Sequence, residues 1–300
     1  MRDSAAEGIF DPKAAAAIAD LELVSRRVVE GFISGVHPSP YYGFAVEFAA
    51  YRDYVPGDDL RFLDWRVWGR SDRHYIKQFE ETTNLSSMLF VDCSGSMKIE
   101  DDNGVSKFRY SVMAAGALGY LMTRQGDNVG LYAVSGGDTF FIPPKGGKRH
   151  LFSILAHLGR LRPEGSVPLP RALRTLAEHV THRGMILLFS DMLWPSGELA
   201  DALKFLQRCR SDLIVFEVLT RAETDFPYEG MTEFEDVEGG ARLATQSTLV
   251  RQAYVNSMAA HRDAVRQAVV GQEGDMVALS PAESLAAALP AYLARRARLL

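Results

Sequence analysis

The strongest constraint on the fold is a regular alternation of short apolar segments and longer helical segments that begins at Leu85. The apolar segments predict strands at 85–91, 129–134, 139–142, 185–189, 213–219 and 275–279. The segments between and after them predict helices at 106–124, 147–160, 170–182, 197–209, 249–270 and 282–298. Such alternation gives right-handed crossovers and a mostly parallel sheet covered on both faces. Residues 85–300 are therefore predicted to form an α/β, Rossmann-like, doubly wound domain, with a hairpin at Gly239-Gly240.

Two further segments precede this domain. Residues 1–35 contain a predicted amphipathic helix at 12–34, in which apolar residues recur at spacings of three and four. Residues 36–84 mix aromatic, acidic and basic residues, and we expect two or three short strands joined by turns there. The sequence thus predicts an N-terminal helix, a small β-rich segment and a large α/β domain.

The composition of the chain excludes several classes of function. Its 33 basic and 38 acidic residues give a net charge of −5, so no global positive field attracts nucleic acid. Cys93 and Cys209 are the only cysteines, and their wide separation suggests neither a disulfide framework nor a zinc site. Residues 1–20 lack the pattern of a signal peptide, and the apolar runs are shorter than a membrane span. We expect a cytoplasmic protein without a membrane span.

Three short oxygen-bearing side chains follow the first predicted strand of the large domain. Asp92, Ser94 and Ser96 stand at alternate positions just past the strand end. Carboxylate and hydroxyl oxygens in this arrangement can converge on one hard cation, which prefers oxygen ligands in octahedral array. The alternative is a turn rich in Ser and Gly that happens to begin with Asp.

A second carboxylate is predicted at the same edge of the sheet. Asp191 follows the strand at 185–189, and ligands of doubly wound sheets bind beyond the carboxyl ends of strands where the strand order reverses. N-capping of the next helix is the alternative role for Asp191. A cation held by few carboxylates and hydroxyls retains positive charge and open coordination positions. This favours recruitment of a carboxylate from a partner, which requires no catalysis.

These residues and an upstream segment resemble known families. The predicted metal ligands resemble the metal-ion-dependent adhesion site (MIDAS) of von Willebrand factor A (vWA) domains. The upstream segment Tyr51–Trp65, YRDYVPGDDLRFLDW, is followed by KQFE at Lys77–Glu80. Both closely resemble the signature of the bacterial domain-of-unknown-function 58 (DUF58) family. The two resemblances together cover roughly residues 36–200 by motif.

The resemblance implies a vWA-like domain that carries a small additional β element and has no enzymatic activity. It implies Mg²⁺, with Mn²⁺ or Ca²⁺ as alternatives, at Asp92, Ser94, Ser96 and Asp191. Members of the family are generally found with MoxR-type AAA+ ATPases. The implied function is that of an adaptor or chaperone-like partner of such an ATPase, which binds a partner carboxylate through the metal.

One position departs from the vWA pattern. The adhesion site normally includes a threonine from the loop before the helix that precedes the second Asp, and Val167 aligns with that threonine. Valine offers no oxygen, so metal binding is expected to be weakened. Ser166 is adjacent and is a candidate substitute, although Pro168 restricts the shift of one residue that this requires.

A cluster of charged residues in the β-rich segment has two interpretations. Asp58, Asp59, Arg61 and Asp64 are candidates for a partner-binding face, because Arg and carboxylate side chains confer orientation at interfaces. Alternatively, they form an internal salt-bridge network above packed aromatic side chains.

The sequence is also compatible with two other functions. Asp92 is a candidate nucleophile for a Mg²⁺-dependent phosphotransferase or hydrolase. The haloacid-dehalogenase pattern, however, requires a second Asp two residues on, where this chain has Ser94. The other alternative is a degenerate vWA scaffold that binds partners without metal, because Val167 supplies no ligand.

Overall fold

The computed structural model of the chain describes residues 21, 23–26, 29, 48–53, 75–79, 85–135, 138–166 and 168–285. The chain divides into two compact units, of which the smaller is Ser39–Asn84 and the larger contains the remaining residues. In the smaller unit, strands β1 (Phe48–Asp53) and β2 (Tyr75–Phe79) pair in antiparallel fashion.

The larger unit contains the predicted alternation of strands and helices. Its strands are β3 (Ser86–Asp92), β4 (Asn128–Ser135), β5 (Asp138–Lys145), β6 (Gly184–Ser190), β7 (Asp212–Val218), β8 (Met231–Glu235), β9 (Arg242–Gln246) and β10 (Asp275–Leu279). Its helices are α1 (Lys107–Arg124), α2 (Lys148–Arg160), α3 (Leu169–His179), α4 (Ser196–Gln207), α5 (Arg221–Asp225) and α6 (Ser247–Val270). In the described part of the chain, no helix is both long and apolar enough to cross a membrane.

Six of these strands form one sheet in the order β10-β7-β6-β3-β4-β5. All neighbouring pairs are parallel except β4 and β5, which are antiparallel. Helices α1 and α2 pack on one face of the sheet, and α3, α4 and α6 pack on the other. The predicted α/β class with a mostly parallel, doubly wound sheet is confirmed.

The central strands are buried on both faces, which explains their continuous apolar sequences. Every residue of β6 is buried, as are six of the seven residues of β3. From β3 the chain crosses to β4 on one side, and it later returns to place β6 on the other side of β3. The strand order therefore reverses between β3 and β6, where a doubly wound sheet opens a ligand-binding crevice beyond its strand ends.

The predicted and observed bounds of these elements agree within three residues. Helix α3 ends at His179, because the β-branched Val180 and Thr181 have low helix propensity and Val180 is extended. The predicted hairpin forms between β8 and β9. The short helix α5 was not predicted. The described residues of the predicted helix at 12–34 are helical, whereas the helix predicted at 282–298 lies mostly outside the described residues.

Candidate functional site

The predicted metal ligands meet at the carboxyl ends of β3 and β6. Asp92 is the last residue of β3, Asp191 directly follows β6, and Ser94 and Ser96 belong to the turn after β3. All four line a cavity of about 220 Å³. We refer to Asp92, Ser94, Ser96 and Asp191 as the cation site. The sheet order places these residues together, since β3 and β6 are neighbours.

Asp92 is almost completely buried, with 3% of its surface exposed. Its Oδ1 accepts a hydrogen bond from the Ser94 backbone N–H at 2.9 Å, and its Oδ2 accepts one from the Ser190 hydroxyl at 2.6 Å. Burial, and after it the negative charge of Asp191, raise the pKa of Asp92 to about 6 against the lowering effect of its hydrogen bonds. A nearby cation would favour the ionised form of this carboxyl group.

The two serine hydroxyls connect the turn after β3 to Asp191. The Oγ atoms of Ser94 and Ser96 are 3.1 Å apart, and the Ser96 hydroxyl donates to Asp191 Oδ2 at 2.7 Å. Asp191 Oδ1 accepts a hydrogen bond from the Leu193 backbone N–H at 3.1 Å. Hydroxyl and carboxylate oxygens therefore face one another across the end of the sheet.

Lys107, the first residue of α1, is a buried cation beside this site. Its side chain has no exposed surface, and its Nζ lies 2.8 Å from Asp191 Oδ2 and also pairs with Glu223 Oε1. Burial alone would lower the pKa of Lys107, but the charges of Asp191 and Glu223 outweigh burial and raise it. Lys107 therefore stays protonated and neutralises part of the acidic charge.

Glu223 is held in place by the start of α5. Its Oε2 accepts hydrogen bonds from the Thr220 backbone N–H and hydroxyl, both at 2.9 Å, and the Thr220 hydroxyl accepts from the Glu223 backbone N–H. This reciprocal pair is a capping box, which fixes the direction of both side chains. The remaining oxygen of Glu223 is thereby aimed at Lys107.

The charges and donor atoms of the site fit a divalent cation. Asp191 and Glu223 pair with the ammonium of Lys107, and the buried Asp92 adds a third carboxylate, so these four side chains together carry an excess of two negative charges. No three side chains of His, Cys, Asp or Glu converge on one metal position within the described ranges. The candidate donors are instead two carboxylates and two hydroxyls, a hard oxygen set of the kind that Mg²⁺ prefers.

Of the other predicted site residues, the structure describes only Ser166, and it does not bring Ser166 into this cluster. Ser166 is exposed, and it is absent from the described side chains that line the cavity. Its loop does contact the turn after β3, because the Gly95 backbone N–H donates to the Gly165 carbonyl at 2.8 Å. Val167 lies outside the described residues. The candidate partner-binding residues also lie outside them: Asp58, Asp59, Arg61 and Asp64.

Sequence reasoning missed four participants in the site. Thr220 and Glu223 form the sequence pattern of a capping box, which predicts the start of a helix. The sequence does not predict that Glu223 contacts Lys107. A single lysine at a helix start gives no signal of burial. The fourth is Glu238, which lies at the tip of the β8–β9 hairpin and lines the cavity.

Two solved structures that match this chain have low sequence identity to it and TM-scores below 0.5. BatB from Bacteroides thetaiotaomicron matches with a TM-score of 0.46 and 16% identity, over 71% of this chain and 99% of that chain. The VWA domain of SpRpn10 matches with a TM-score of 0.40 and 10% identity, over 68% of this chain and 92% of that chain. The fold class therefore rests on the observed strand order.

Comparison with known sequences gives more extensive matches. The uncharacterized protein Rv1480 of Mycobacterium tuberculosis is 28% identical over 297 residues, which are 97% of this chain and 92% of that protein. The uncharacterized protein YeaD of Bacillus subtilis is 25% identical over 151 residues, which are 50% of this chain and 35% of YeaD. The family described as protein of unknown function DUF58 matches residues 50–264, a range that includes the whole cation site. The predicted family is confirmed, and this chain belongs to the DUF58 family.

Proposed function

We propose that this protein is a non-enzymatic interaction module that binds Mg²⁺ at the cation site and, through the metal, a carboxylate of a protein partner. The observation that carries the proposal is the excess of negative charge around buried oxygen donors at a strand-order reversal. Burying like charges together is unfavourable unless a cation compensates them. A divalent ion would supply that compensation.

The donor set also explains why a partner would be recruited. Two carboxylates and two hydroxyls do not fill six coordination positions, so a bound Mg²⁺ keeps open positions for water or an incoming oxygen ligand. The lining of the cavity includes Leu193, whose side chain is exposed, so the cavity lies near the surface where a partner side chain can approach. A carboxylate is the ligand that best matches the remaining positive charge.

We propose a MoxR-type AAA+ ATPase as the partner class, on the strength of the family signature at Tyr51–Trp65. In this proposal the chain acts as an adaptor or chaperone-like partner of the ATPase. Whether the charged residues of that signature form a second contact face stays a prediction.

Isothermal titration calorimetry with Mg²⁺ tests the metal half of the proposal. We expect one site in the wild type and an affinity reduced by roughly two orders of magnitude in Asp92→Ala, because a charged ligand is lost. Asp201→Ala removes the same charge from an exposed position on α4 and is the matched control. Equal affinities in wild type and Asp92→Ala would contradict this assignment.

A pull-down of the ATPase tests the partner half. We expect capture by the wild type in Mg²⁺, and loss of capture with a chelator or with Asp92→Ala. Capture that is unaffected by both treatments would favour the metal-free scaffold instead. Hydrolysis of a generic phosphoester that disappears in Asp92→Ala would favour the enzyme alternative.

A further inference from the structure

The tip of the β8–β9 hairpin packs directly over the cation site. The carboxylate of Glu238 lies at the wall of the cavity, and its Oε1 accepts a hydrogen bond from the Ser96 backbone N–H at 3.4 Å. At Gly95, an added Cβ would lie only 3.2 Å from both Glu238 Cγ and the Val237 carbonyl oxygen. The hairpin and the turn that carries Ser96 are therefore in close contact.

The position of Glu238 is set by an ordered turn. Asp236 Oδ1 accepts from the Glu238 backbone N–H at 2.9 Å, and Asp236 Oδ2 accepts from the Gly239 backbone N–H at 3.0 Å. Gly240 takes the left-handed conformation, with φ of 68°, that closes the loop. Asp236 and Gly239 are exposed, whereas Glu238 between them is half-buried against the site. The turn thus directs this carboxylate toward the cavity.

The base of the hairpin is anchored to the body of the same unit by aromatic packing. Phe234 on β8 stacks on Phe226 with ring centroids 5.5 Å apart, and Phe226 also packs on Tyr254 of α6 at 4.5 Å. Aromatic pairs at these distances are stabilising. The hairpin is therefore attached at its base, and its tip reaches the cation site.

The carboxylate of Glu238 lines the same cavity as the like-charged Asp92 and Asp191. The site already carries more negative than positive charge, and the long hydrogen bond from Ser96 is a weak compensation for Glu238. A bound divalent cation would reverse the sign of the interaction, because its open positions accept a carboxylate. Glu238 then stands where the carboxylate of a partner would approach.

We propose that Glu238 is an intramolecular ligand that competes with the partner for the bound cation. This inference rests on the proposed function of the cation site. The partner presents a carboxylate on an exposed acidic loop, and that loop must displace the hairpin tip. Because only the fraction of molecules with the tip displaced can bind, the partner's apparent affinity is lowered by that fraction.

The test uses the full chain, Mn²⁺ as the cation and acetate as the carboxylate probe. Water proton relaxation reports Mn²⁺ binding, and relaxation of the acetate methyl protons reports the approach of acetate to the bound ion. We expect acetate to bind roughly tenfold more tightly to Mn²⁺-loaded Glu238→Gln and Glu238→Ala than to the wild type. Glu233→Gln removes an exposed charge from the same hairpin and is expected to leave acetate binding unchanged.

The outcomes distinguish the competition by Glu238 from the existence of the cation site. If Mn²⁺ binds the wild type but acetate affinity is the same in wild type and both Glu238 variants, Glu238 is not a competing ligand and the cation site still stands. If Glu233→Gln strengthens acetate binding as much as Glu238→Gln does, a general charge effect replaces the specific contact. If the wild type binds no Mn²⁺, the cation site and the competition by Glu238 are both overturned.

Discussion

Replacement of Lys107 by methionine is expected to lower the free energy of unfolding by about 3–5 kcal/mol. The Lys107 side chain is fully buried, and its ammonium pairs with both Asp191 and Glu223. Methionine retains an unbranched side chain of similar length but leaves two acidic groups without their cation, which is the costly way to break a buried ion pair. Urea denaturation in metal-free buffer would measure the loss.

The matched control is Lys204→Met on α4. Lys204 pairs with Asp201 at 3.2 Å, but their side chains are 64% and 65% exposed. Exposed pairs contribute little, so we expect a change below about 1 kcal/mol. A loss in Lys107→Met no larger than that in Lys204→Met would show that the buried pairs do not stabilise the fold.

The contact with Lys107 also limits how Asp191 can coordinate a metal at the cation site. Asp191 Oδ2 already accepts hydrogen bonds from Lys107 Nζ and the Ser96 hydroxyl, which use both lone pairs of that oxygen. Asp92 accepts hydrogen bonds from the Ser94 backbone N–H, the Ser190 hydroxyl and the Ser94 side chain, which are fewer than the four lone pairs of its two oxygens, so a lone pair remains there for a metal. Asp92 is therefore the stronger candidate for direct coordination. Asp191 can act through the Ser96 hydroxyl, through water or through its Oδ1.

The fold was predictable because its signals are local and repeated. Each buried strand is a short apolar run, and helix α4 between β6 and β7 begins after Pro195 and ends before the polar Arg208. Strands that alternate with helices are joined by right-handed crossovers, so the alternation also predicted a mostly parallel sheet. The five-residue helix α5 was missed because its signal is a capping box without an apolar repeat.

The cation site was only partly predictable, for a physical reason. Asp92 and Asp191 end neighbouring strands, so the topology that places the strands also places the carboxylates. Lys107, Glu223 and Glu238 come from two helix starts and a hairpin tip, and their approach to the site depends on tertiary packing. Sequence separations of 84 and 116 residues join Lys107 to its two partners, and no local pattern encodes such contacts.

Between about pH 4 and pH 7, the buried carboxyl group of Asp92 is expected to remove about 3 kcal/mol from the stability of the metal-free protein. Burial, and then the charge of Asp191, raise the pKa of Asp92 from its ordinary value of 3.8 to about 6. Between these two pKa values, the unfolded chain has released the proton while most folded molecules retain it. The folded state then binds more protons, so stability falls as the pH rises through the folded pKa.

Urea denaturation of wild type and Asp92→Asn across this pH range, with a chelator present, isolates the contribution of Asp92. Other acidic groups titrate in both proteins, so the stability difference between them reports Asp92, and a difference independent of pH would contradict the prediction. Mg²⁺ added at about pH 7 is expected to stabilise the wild type and not Asp92→Asn, because binding to the folded state alone raises stability. A buried acidic group that destabilises the metal-free fold and is compensated by a cation is the energetic signature of a binding site, since a purely structural turn gains nothing from that charge.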